Sequence, residues 1–305
     1  MHAKTDAGPA DPAPATASVT YHLPAPALRE AVTTYYLVKV AGDGVVRDQI
    51  FPEWPNFRMI LSGDWTADFP DEPTRPVPVD GVTGALERAV WVSGTAGLMV
   101  GVGLMPQGWP RFTDLPADAF ANRMRPMTDA LGPVADDLHR RLCEAAADAA
   151  GGDEALFAVL DDLLPTLLRP TPQAALVAAA HTALQDSEVQ TVSGWAEAVS
   201  LSPRQLERFS RRYFGLSPKR LLRRQRLLRT LAAMREAPQG AWTQFLDAQY
   251  ADQAHFIHEF NYYMGMSPKA YLARNQPFMA EAWKRRKALL GSPVQVLQPA
   301  TSEKS

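Results

Sequence analysis

A short pattern that occurs twice constrains this sequence more than any other feature. Residues 215–219 read GLSPK, and 50 residues later residues 265–269 read GMSPK, with Arg224 matched by Arg274. Self-similarity at a fixed spacing indicates a duplicated structural unit. In both copies the glycine is predicted to end one helix and Ser-Pro to begin the next, because glycine adopts the left-handed conformation of helix ends and proline suits the first helical position. The sequence therefore predicts two copies of a small helical unit.

Each predicted unit holds a short helix, a tight turn and a second helix. In the first unit the helices span Val192–Val199 and Pro203–Phe214, and in the second they span Trp242–Ala248 and Asp252–Met264. One long helix, Pro218–Glu236, is predicted to connect the units. Apolar residues recur at spacings of three and four, which is typical of amphipathic helices. This order of elements is the helix-turn-helix arrangement, whose second helix enters the major groove of DNA.

The first unit and its connecting helix are strongly basic. Between Ser202 and Arg229 the chain carries ten Lys or Arg side chains and one acid, Glu207. Residues 1–169 carry 13 Lys and Arg against 23 Asp and Glu, whereas residues 170–305 carry 18 against 10. A basic half beside an acidic half indicates a nucleic-acid module joined to a domain that avoids nucleic acid. The alternative interpretation of the basic stretch is a solvated, charged pair of helices.

Residues 173–275 resemble the DNA-binding domain of AraC/XylS-type transcription regulators. The resemblance rests on SPRQLERFSRRYFGLSPKRLLRRQRL and on DQAHFIHEFNYYMGMSPKAYL, which is close to the signature of that family. Three positions depart from the family pattern: Gln249 replaces a glycine in the second turn, His258 replaces an arginine, and Ser210 replaces a phenylalanine. The resemblance implies a regulator that binds double-stranded DNA.

Outward-facing residues of the second helix in each unit are the predicted base contacts. Arginine can make two hydrogen bonds to guanine, while basic side chains and helix N-termini contact phosphates. The predicted base-reading residues are Arg204, Gln205, Arg208, Gln253, His255 and His258. The predicted phosphate contacts are Ser202, Arg211, Arg212, Lys219, Arg223 and Lys269.

The N-terminal half has the pattern of a β domain. Short apolar or alternating runs lie between clusters of Gly, Pro and Asp, which is typical of a small barrel or sandwich. The predicted strands are Val32–Val40, Arg47–Phe51, Arg58–Leu61, Val90–Val92 and Leu98–Leu104. Glycines alternate along the last of these runs, which indicates bends or a close approach of backbone.

The segments PEWPNFRMIL at 52–61 and GVGLMPQGW at 101–109 resemble the cupin-like sensory domain of some AraC-type regulators. The predicted fold class is therefore α+β, with an N-terminal cupin-like barrel and flanking helices, then an all-α domain of two helix-turn-helix units joined by a long helix. The predicted flanking helices are Leu115–Phe120, Met127–Leu131, Val134–Ala150 and Asp153–Leu168. In the family such helices often form a dimer contact.

Composition and proline positions predict the domain boundaries. The predicted divisions are a disordered, Ala/Pro-rich segment 1–18, an effector-binding or dimerisation domain 19–169, a DNA-binding domain 170–290 and a disordered tail 291–305. The two prolines of Arg169–Pro172 mark the linker. The DNA-binding domain includes an extra helix, Phe278–Leu290, whose basic run 284–287 either contacts phosphate or faces solvent.

Aromatic residues are abundant in the N-terminal domain, where they indicate either core packing or a pocket for an apolar ligand. The predicted effector-binding residues are Trp54, Arg58, Trp91 and Trp109. Arg58 is expected to orient an acidic group of the ligand, or to pair with Glu53 or Asp64.

No catalytic constellation is evident in the sequence. The single cysteine, Cys143, excludes an internal disulfide and a thiolate metal cluster, and is expected to act as a small apolar residue. The barrel-like region offers only His22, whereas a metal-binding cupin needs several histidines. Phosphate-binding loops, nucleophile elbows and zinc spacings are also missing. The sequence therefore predicts no enzyme, no metal and no cofactor.

The predicted function is a cytoplasmic transcription regulator that binds double-stranded DNA under the control of a small-molecule effector. A homodimer is expected, with RNA polymerase as a partner if the protein is an activator. No membrane partner is expected, because no stretch approaches the roughly 20 apolar residues of a membrane span. The alternative is a metal-free cupin-like small-molecule-binding protein or enzyme with a non-functional helical domain. A third possibility keeps DNA binding and uses the barrel only for dimerisation.

Overall fold

The computed structural model describes residues 15–148, 150–236, 250 and 252–299. Its strands are β1 (Thr16–His22), β2 (Val32–Ala41), β3 (Val46–Ile50), β4 (Asn56–Ser62), β5 (Trp65–Asp68), β6 (Arg75–Pro76), β7 (Asp80–Thr83), β8 (Val90–Gly94), β9 (Gly97–Leu104) and β10 (Met124–Pro126). Its helices are α1 (Trp109–Phe112), α2 (Thr128–Leu131), α3 (Val134–Ala147), α4 (Gly152–Leu167), α5 (Ala174–Gln185), α6 (Val192–Ala198), α7 (Pro203–Phe214), α8 (Pro218–Glu236), α9 (Gln253–Met264), α10 (Pro268–Ala273) and α11 (Met279–Leu290).

The strands form two antiparallel sheets. The larger sheet has the order β1-β2-β9-β4-β7-β10, and the smaller has the order β3-β8-β5-β6. No strand pairing joins the two sheets within the described residues, and the edge strands β6 and β10 are only two and three residues long. The mixed helix-and-sheet class is confirmed, but the predicted cupin-like barrel is not, because the strands form two separate sheets.

Alternation along β2 distributes its side chains between two apolar layers. Tyr35 and Leu37 pack in a core that includes Leu138 of α3 and Leu160 of α4, on the outer face of the larger sheet. Val38 belongs instead to the layer between the sheets. Successive side chains of a strand point to opposite faces, so one strand contributes to both layers.

The glycines of β9 make room for side chains between the sheets. A Cβ atom on Gly101 would lie 2.0 Å from the ring of Tyr36, and one on Gly103 would lie 2.4 Å from Thr33 Oγ1. The groups that come close to these two glycines are side chains rather than the backbone predicted from the sequence, and only glycine leaves space for them.

The helix-turn-helix pattern predicts the C-terminal elements closely. Helix α7 has the predicted bounds Pro203–Phe214, and α8 has the predicted bounds Pro218–Glu236. Helix α9 begins at Gln253, with Asp252 as its N-cap. The predicted helix Trp242–Ala248 lies outside the described residues. Of the helices in the described part of the chain, none is both long and apolar enough to cross a membrane.

Three local expectations differ from the structure. Strand β1 begins at Thr16, inside the segment 1–18 that is predicted to be disordered, because TASVTYH pairs along its whole length with β2. Residues 291–299 of the predicted tail are ordered and contain a 3-10 turn, Gln295–Leu297. The predicted helix Leu115–Phe120 is only a 3-10 turn, Ala117–Ala119, which begins after the extended backbone of Pro116 (φ −67°, ψ 135°).

The helical domain and the N-terminal domain share one apolar core. Phe51, Trp54 and Ala85 of the N-terminal domain lie in the same cluster as Trp195 and Phe214 of the first unit. The tail also joins the domains, since Gln295 Oε1 accepts a hydrogen bond from Trp54 N at 3.0 Å. The two domains are therefore packed against each other, rather than connected only by the linker.

Candidate nucleic-acid interface and internal cavity

The second helix of each unit begins with a side-chain cap. Ser202 Oγ accepts a hydrogen bond from Gln205 N at 3.3 Å, and Gln205 Oε1 accepts one from Ser202 N at 2.8 Å, which is a capping box. In α9, Asp252 Oδ1 accepts a hydrogen bond from His255 N at 2.7 Å. Both helices therefore begin at a position that the local sequence specifies.

The C-terminal ends of the same helices lie against the N-terminal domain. Helix α7 ends at Gly215 (φ 80°), where an added Cβ would lie 3.2 Å from Ala117 O. At the end of α9, Tyr263 O accepts a hydrogen bond from Ala89 N, and Met264 O accepts one from Gln49 Nε2, each at 2.8 Å. A 12-residue helix is about 18 Å long, so the N-terminal ends of α7 and α9 lie about that far from these contacts.

The predicted base-reading residues lie at those N-terminal ends and are mostly exposed. The exposed members are Arg204, Gln205, Arg208, Gln253 and His258. His255 is half-buried, since its ring centroid lies 5.4 Å from that of Tyr250 and its Nε2 lies 3.9 Å from Glu259 Oε1. Five of the six side chains are therefore accessible to a ligand, whereas the ring of His255 lies against Tyr250 and Glu259.

Some of the predicted phosphate contacts are exposed side chains without an ion pair in the described part of the chain, and others are paired with a residue of the protein. Ser202, Lys219 and Lys269 are exposed. Arg211 pairs with Glu207 at 2.8 Å on the surface of α7.

Two of the predicted phosphate contacts donate hydrogen bonds to other elements of the protein. Arg212 Nη2 donates to Asp114 O of the N-terminal domain at 3.4 Å, and Arg223 Nε donates to Glu259 Oε1 of α9 at 2.7 Å. Arg223 therefore has a partner within the protein.

Glu259 fixes α9 to the connecting helix α8. Its side chain is 2% exposed and accepts hydrogen bonds from Arg223 Nε at 2.7 Å and from Arg226 Nη2 at 2.6 Å. Burial raises the pKa of Glu259, but the hydrogen bonds from Arg226 and Arg223 outweigh it, so the pKa lies below its ordinary value. Sequence reasoning missed this residue, although its position three after Phe256 places it on the buried stripe of α9.

A basic cleft separates the two units. It has a volume of about 500 Å³ and holds one carboxylate, Glu259. Its polar and charged lining residues are Gln190, Thr191, Lys219, Arg223, Arg226, Arg229, His255 and Glu259. Arg226 and Arg229 lie on α8, outside the helices that the sequence pattern marks as recognition helices. The cleft therefore extends the cationic surface from the recognition helices onto the connecting helix.

Arg224 is a buried contact between the first unit and the N-terminal domain. Its guanidinium carbon lies 4.0 Å above the ring of Trp54, and Nη1 donates to Glu53 O at 3.1 Å and to Leu86 O at 2.8 Å. Burial lowers the pKa of Arg224 to about 9. The sequence predicts Trp54 to contact an effector, whereas the structure places it beneath this arginine.

Arg274, the repeat equivalent of Arg224, makes the corresponding contact from the second unit. Its guanidinium lies 4.8 Å from the ring of Trp91, and Nη2 pairs with Asp48 Oδ1 at 3.1 Å. The Asp48 side chain is fully buried and also accepts a hydrogen bond from Met279 N. Arg224 and Arg274 are called the docking arginines below. Each rests on a tryptophan that the sequence predicts to bind an effector.

A cavity of about 110 Å³ lies between the two sheets, and α11 forms part of its wall. Most of the lining is apolar and includes Val19, Val38, Ile60, Val92, Met99 and Phe278. The charged lining residues are Glu53, Arg58 and Arg286.

Arg58 pairs with Glu53 inside the cavity, with Nη2 2.5 Å from Oε1, while Nη1 donates to Thr83 Oγ1 at 2.7 Å. The sequence leaves Glu53 and Asp64 open as partners, and the structure shows Glu53. Burial disfavours the charged form of Arg58, but Glu53 outweighs this effect and raises the pKa of Arg58 above its ordinary value. Arg58 is the one predicted effector residue that lines this cavity.

Arg286 reaches the cavity from α11 and is 6% exposed. Its Nη1 donates to Thr34 Oγ1 at 3.2 Å and its Nη2 donates to Gln298 Oε1, while Nε has no hydrogen-bond partner within the described residues. Burial lowers the pKa of Arg286. The sequence interpretation treats Arg286 as part of a uniform basic run, although its position seven residues after Met279 and three after Trp283 places it on the buried stripe of α11.

Trp109 lies in the core on the other side of the larger sheet. Its Nε1 donates to Leu115 O at 2.8 Å, and its ring centroid lies 5.1 Å from that of Phe120. The three predicted effector tryptophans therefore occupy three separate places, and none lines the cavity.

A hydrogen-bonded row of Asp80, His139 and Cys143 lies outside the cavity. His139 Nδ1 is 2.6 Å from Asp80 Oδ1, and His139 Nε2 is 3.2 Å from Cys143 Sγ. Burial, together with Asp80 and Glu144, raises the pKa of the half-buried Cys143 thiol. Across residues 15–148, 150–236, 250 and 252–299, no three His, Cys, Asp or Glu side chains are arranged to hold a metal ion.

Comparison with known proteins gives one sequence match. The profile of a family described as "Helix-turn-helix domain" matches residues 195–274. No curated protein matches the chain in sequence.

Similar solved structures include two of ToxT from Vibrio cholerae and one of the AraC-like transcriptional activator CuxR. An apo form of ToxT has 8% sequence identity and a TM-score of 0.40, covering 85% of this chain and 96% of ToxT. ToxT with bound unsaturated fatty acid has 8% identity and a TM-score of 0.40, covering 85% of this chain and 94% of ToxT. CuxR has 13% identity and a TM-score of 0.29, covering 75% of this chain and 91% of CuxR.

Proposed function

We propose that the chain is a sequence-specific, DNA-binding transcription regulator of the AraC/XylS type, because residues 195–274 match the profile of a helix-turn-helix domain. The observation that carries the proposal is the placement of α7 and α9. Each has its C-terminal end packed on the N-terminal domain and its N-terminal end turned outwards, with exposed polar side chains. Two such helices can enter two stretches of major groove on the same duplex.

Direct base contact is proposed for the first unit in particular. Within the described residues, Arg204 and Arg208 make no ion pair or side-chain hydrogen bond, so their guanidinium groups are available to the O6 and N7 atoms of guanine. The side-chain oxygen of Gln205 accepts the capping hydrogen bond from Ser202 N, so its amide NH₂ group remains available as a donor. In the second unit the exposed Gln253 and His258 take the corresponding role.

Phosphate contact is proposed for the exposed Lys219 and Lys269, for Ser202 and Arg211, and for Arg229 in the basic cleft. Positive side chains that replace counterions on DNA produce affinity that falls as salt rises. Arg223 is proposed to act indirectly, because its bond to Glu259 holds α9 in place against α8.

The proposal is tested by substituting Arg208. We expect Arg208→Ala to weaken binding to the selected sequence by roughly 1–3 kcal/mol and to relax the preference at one base-pair position, because one bidentate guanine contact is lost. The measurement is selection from a random duplex pool, followed by titration of the selected sequence. Arg285→Ala is the matched control, since Arg285 is exposed on α11 and pairs with Glu281. An unchanged selected sequence for Arg208→Ala would contradict the base-reading role.

The N-terminal domain is proposed to bind a small-molecule effector in the cavity between the sheets, and the protein to act in the cytoplasm as a homodimer. Contact with RNA polymerase belongs to the proposal if the protein is an activator. Sedimentation of the full chain with and without duplex tests dimerisation.

A small-molecule-binding protein or enzyme with a non-functional helical domain is the competing proposal. Salt-dependent duplex binding separates the two, because a non-functional domain has no need to bind DNA.

A further inference from the structure

We propose that the cavity between the sheets binds a small monocarboxylate with a compact apolar body, and that Arg286 of α11 pairs with its carboxylate group. This inference rests on the proposed function only in treating the bound molecule as the effector. It begins from the charges in the cavity wall, where two guanidinium groups face one carboxylate.

The imbalance falls on Arg286. Arg58 already has Glu53 as its partner, whereas no ion pair joins Arg286 to any carboxylate in the part of the chain that the structure describes. Its described bonds are to the neutral oxygens of Thr34, Gln298 and Tyr21, and its Nε has no partner. Glu53 also attracts Arg286, but from beyond ion-pair distance, and it is bonded to Arg58. A buried guanidinium that shares one distant carboxylate with a second arginine is unfavourable, and a ligand carboxylate would supply a charge of its own through two parallel hydrogen bonds.

The rest of the wall selects the body of the ligand. The other lining residues are mostly apolar and include Val19, Val38, Ile60 and Met99. The volume of about 110 Å³ is smaller than a cavity of about 150 Å³ that holds benzene. A branched or cyclic body of about four carbon atoms fits this space, whereas a long alkyl chain requires the sheets to separate.

Helix α11 connects the ligand site with the DNA-binding domain. Trp283, on the cavity side of α11, lies 4.4 Å from the guanidinium of Arg235 at the end of α8. Lys287 of α11 pairs with Glu236 of α8 at 2.6 Å. A ligand that pairs with Arg286 therefore contacts a helix that is bonded to the connector between the two helix-turn-helix units.

The experiment measures binding to the full chain by calorimetry. The probes are 3-methylbutanoate and cyclobutanecarboxylate, their neutral amides, and hexadecanoate. We expect the two small carboxylates to bind at least about tenfold more tightly than their amides, because a charge-assisted hydrogen bond is lost in the amide. Arg286→Gln should abolish this preference, whereas Arg285→Gln, a neighbouring exposed arginine, should retain it.

Four results would overturn the inference: no binding of either small carboxylate, equal affinity for acid and amide, an unchanged preference in Arg286→Gln, or tighter binding of hexadecanoate than of the small acids. Thermal unfolding checks that each variant is folded. If Arg286→Gln does not fold, Arg286→Lys keeps the charge without the guanidinium fork. That variant should bind the acids more weakly and still prefer them to the amides, and loss of the preference would also overturn the inference.

Duplex binding is measured separately on the same preparations without ligand. A chain that binds the carboxylates but no duplex would refute the proposed function and leave the ligand site intact. A chain that binds duplex but none of the carboxylates would refute the ligand site alone.

Discussion

His181 is a fully buried base at the junction of the two domains. Its ring centroid lies 5.5 Å from that of Trp54 and 6.5 Å from that of Phe214, and Gln185 Nε2 lies 3.0 Å from its Nε2. Burial, reinforced by the positive charge of Arg224, lowers the pKa of His181 to about 3. The side chain is therefore neutral in the folded protein at pH values where an unfolded histidine takes up a proton.

This difference predicts a pH-dependent stability. The pKa in the folded protein lies below the unfolded value, so the contribution of His181 is complete above about pH 6.5 and is lost as the pH falls towards the folded pKa. Between these limits the free energy of unfolding should fall by about 1.4 kcal/mol per pH unit from this residue. Urea unfolding at pH 7.5, 6.5 and 5.5 measures it, and His181→Gln should show a smaller slope. Equal slopes in the two proteins would refute the assignment.

The sequence predicts which side chains are exposed better than it predicts the surroundings of buried ones. Arg204, Arg208 and Lys219 are exposed, as the helical pattern and local caps indicate. Trp54 and Trp91 are predicted from the sequence to contact a ligand, but the docking arginines occupy them. A large aromatic residue has the same sequence signature at a domain interface as in a pocket, and its partner here lies more than a hundred residues away.

At the scale of elements, the packing of α9 against α8 depends on one buried carboxylate, that of Glu259. Glu259 is the common acceptor for Arg223 and Arg226, and the guanidinium of Arg226 also lies 4.6 Å from the ring of Tyr250. Removing the carboxylate leaves partly buried arginines without a counter-charge, which is more costly than removing an exposed pair. The position of the second recognition helix should therefore depend on this residue.

We expect Glu259→Gln to lower the free energy of unfolding by about 3 kcal/mol, because the substitution keeps the shape and removes the charge. Glu207→Gln is the matched control, since Glu207 pairs with Arg211 on the exposed face of α7 and such a pair contributes about 0.5 kcal/mol. Urea unfolding followed by helical circular dichroism measures both variants. A loss for Glu259→Gln as small as that for Glu207→Gln would show that the buried pair does not fix α9.

Local signals account for the elements that the sequence predicts well. The capping residue Ser202 and the terminal Gly215 bound α7, and both lie within a few residues of the helix they define. The sequence also predicts α11, but not that it closes the cavity of the N-terminal domain. An amphipathic stripe shows that one face is buried and does not identify the surface that covers it.

At the scale of the whole molecule, the docking arginine Arg224 holds the first unit on the N-terminal domain. Its hydrogen bonds reach the buried carbonyl oxygen of Leu86 and the partly buried one of Glu53, which also accepts from Leu86 N. A buried carbonyl group that loses its donor, here that of Leu86, retains the full cost of leaving water. The stability of the interface is therefore expected to depend on Arg224 more than on the surface pair of Arg211 and Glu207.

We expect Arg224→Met, which fills a similar volume, to lower the free energy of unfolding by about 2 kcal/mol. The helical domain should then unfold at a lower urea concentration than the N-terminal domain, so that tryptophan fluorescence and helical circular dichroism give separate transitions. Arg211→Met is the control, because Arg211 pairs with Glu207 on the exposed face of α7, and it should keep a single transition. Coincident transitions and an unchanged midpoint in Arg224→Met would contradict this role.

The sequence predicts the mixed helix-and-sheet class and the order of the domains, but it does not predict how the domains pack against each other. The contrast between the acidic and basic halves and the 50-residue repeat are enough to separate the two domains. The separation of the strands into two sheets and the return of residues 291–299 to the N-terminal domain depend on contacts between distant segments. No local pattern in Pro293–Gln298 specifies those contacts.

The two docking arginines rest on different sheets. Trp54 leads directly into β4 of the larger sheet, whereas Trp91 lies in β8 of the smaller one. Because each helix-turn-helix unit is held on a different sheet, the distance between the two recognition helices is expected to change when the separation of the sheets changes. Successive nucleotides along a strand of duplex DNA are about 3.4 Å apart, so widening the gap by that distance would move one helix by about one base pair relative to the other. A molecule that spreads the sheets would thereby change which operator spacing fits the protein, and not only how tightly it binds.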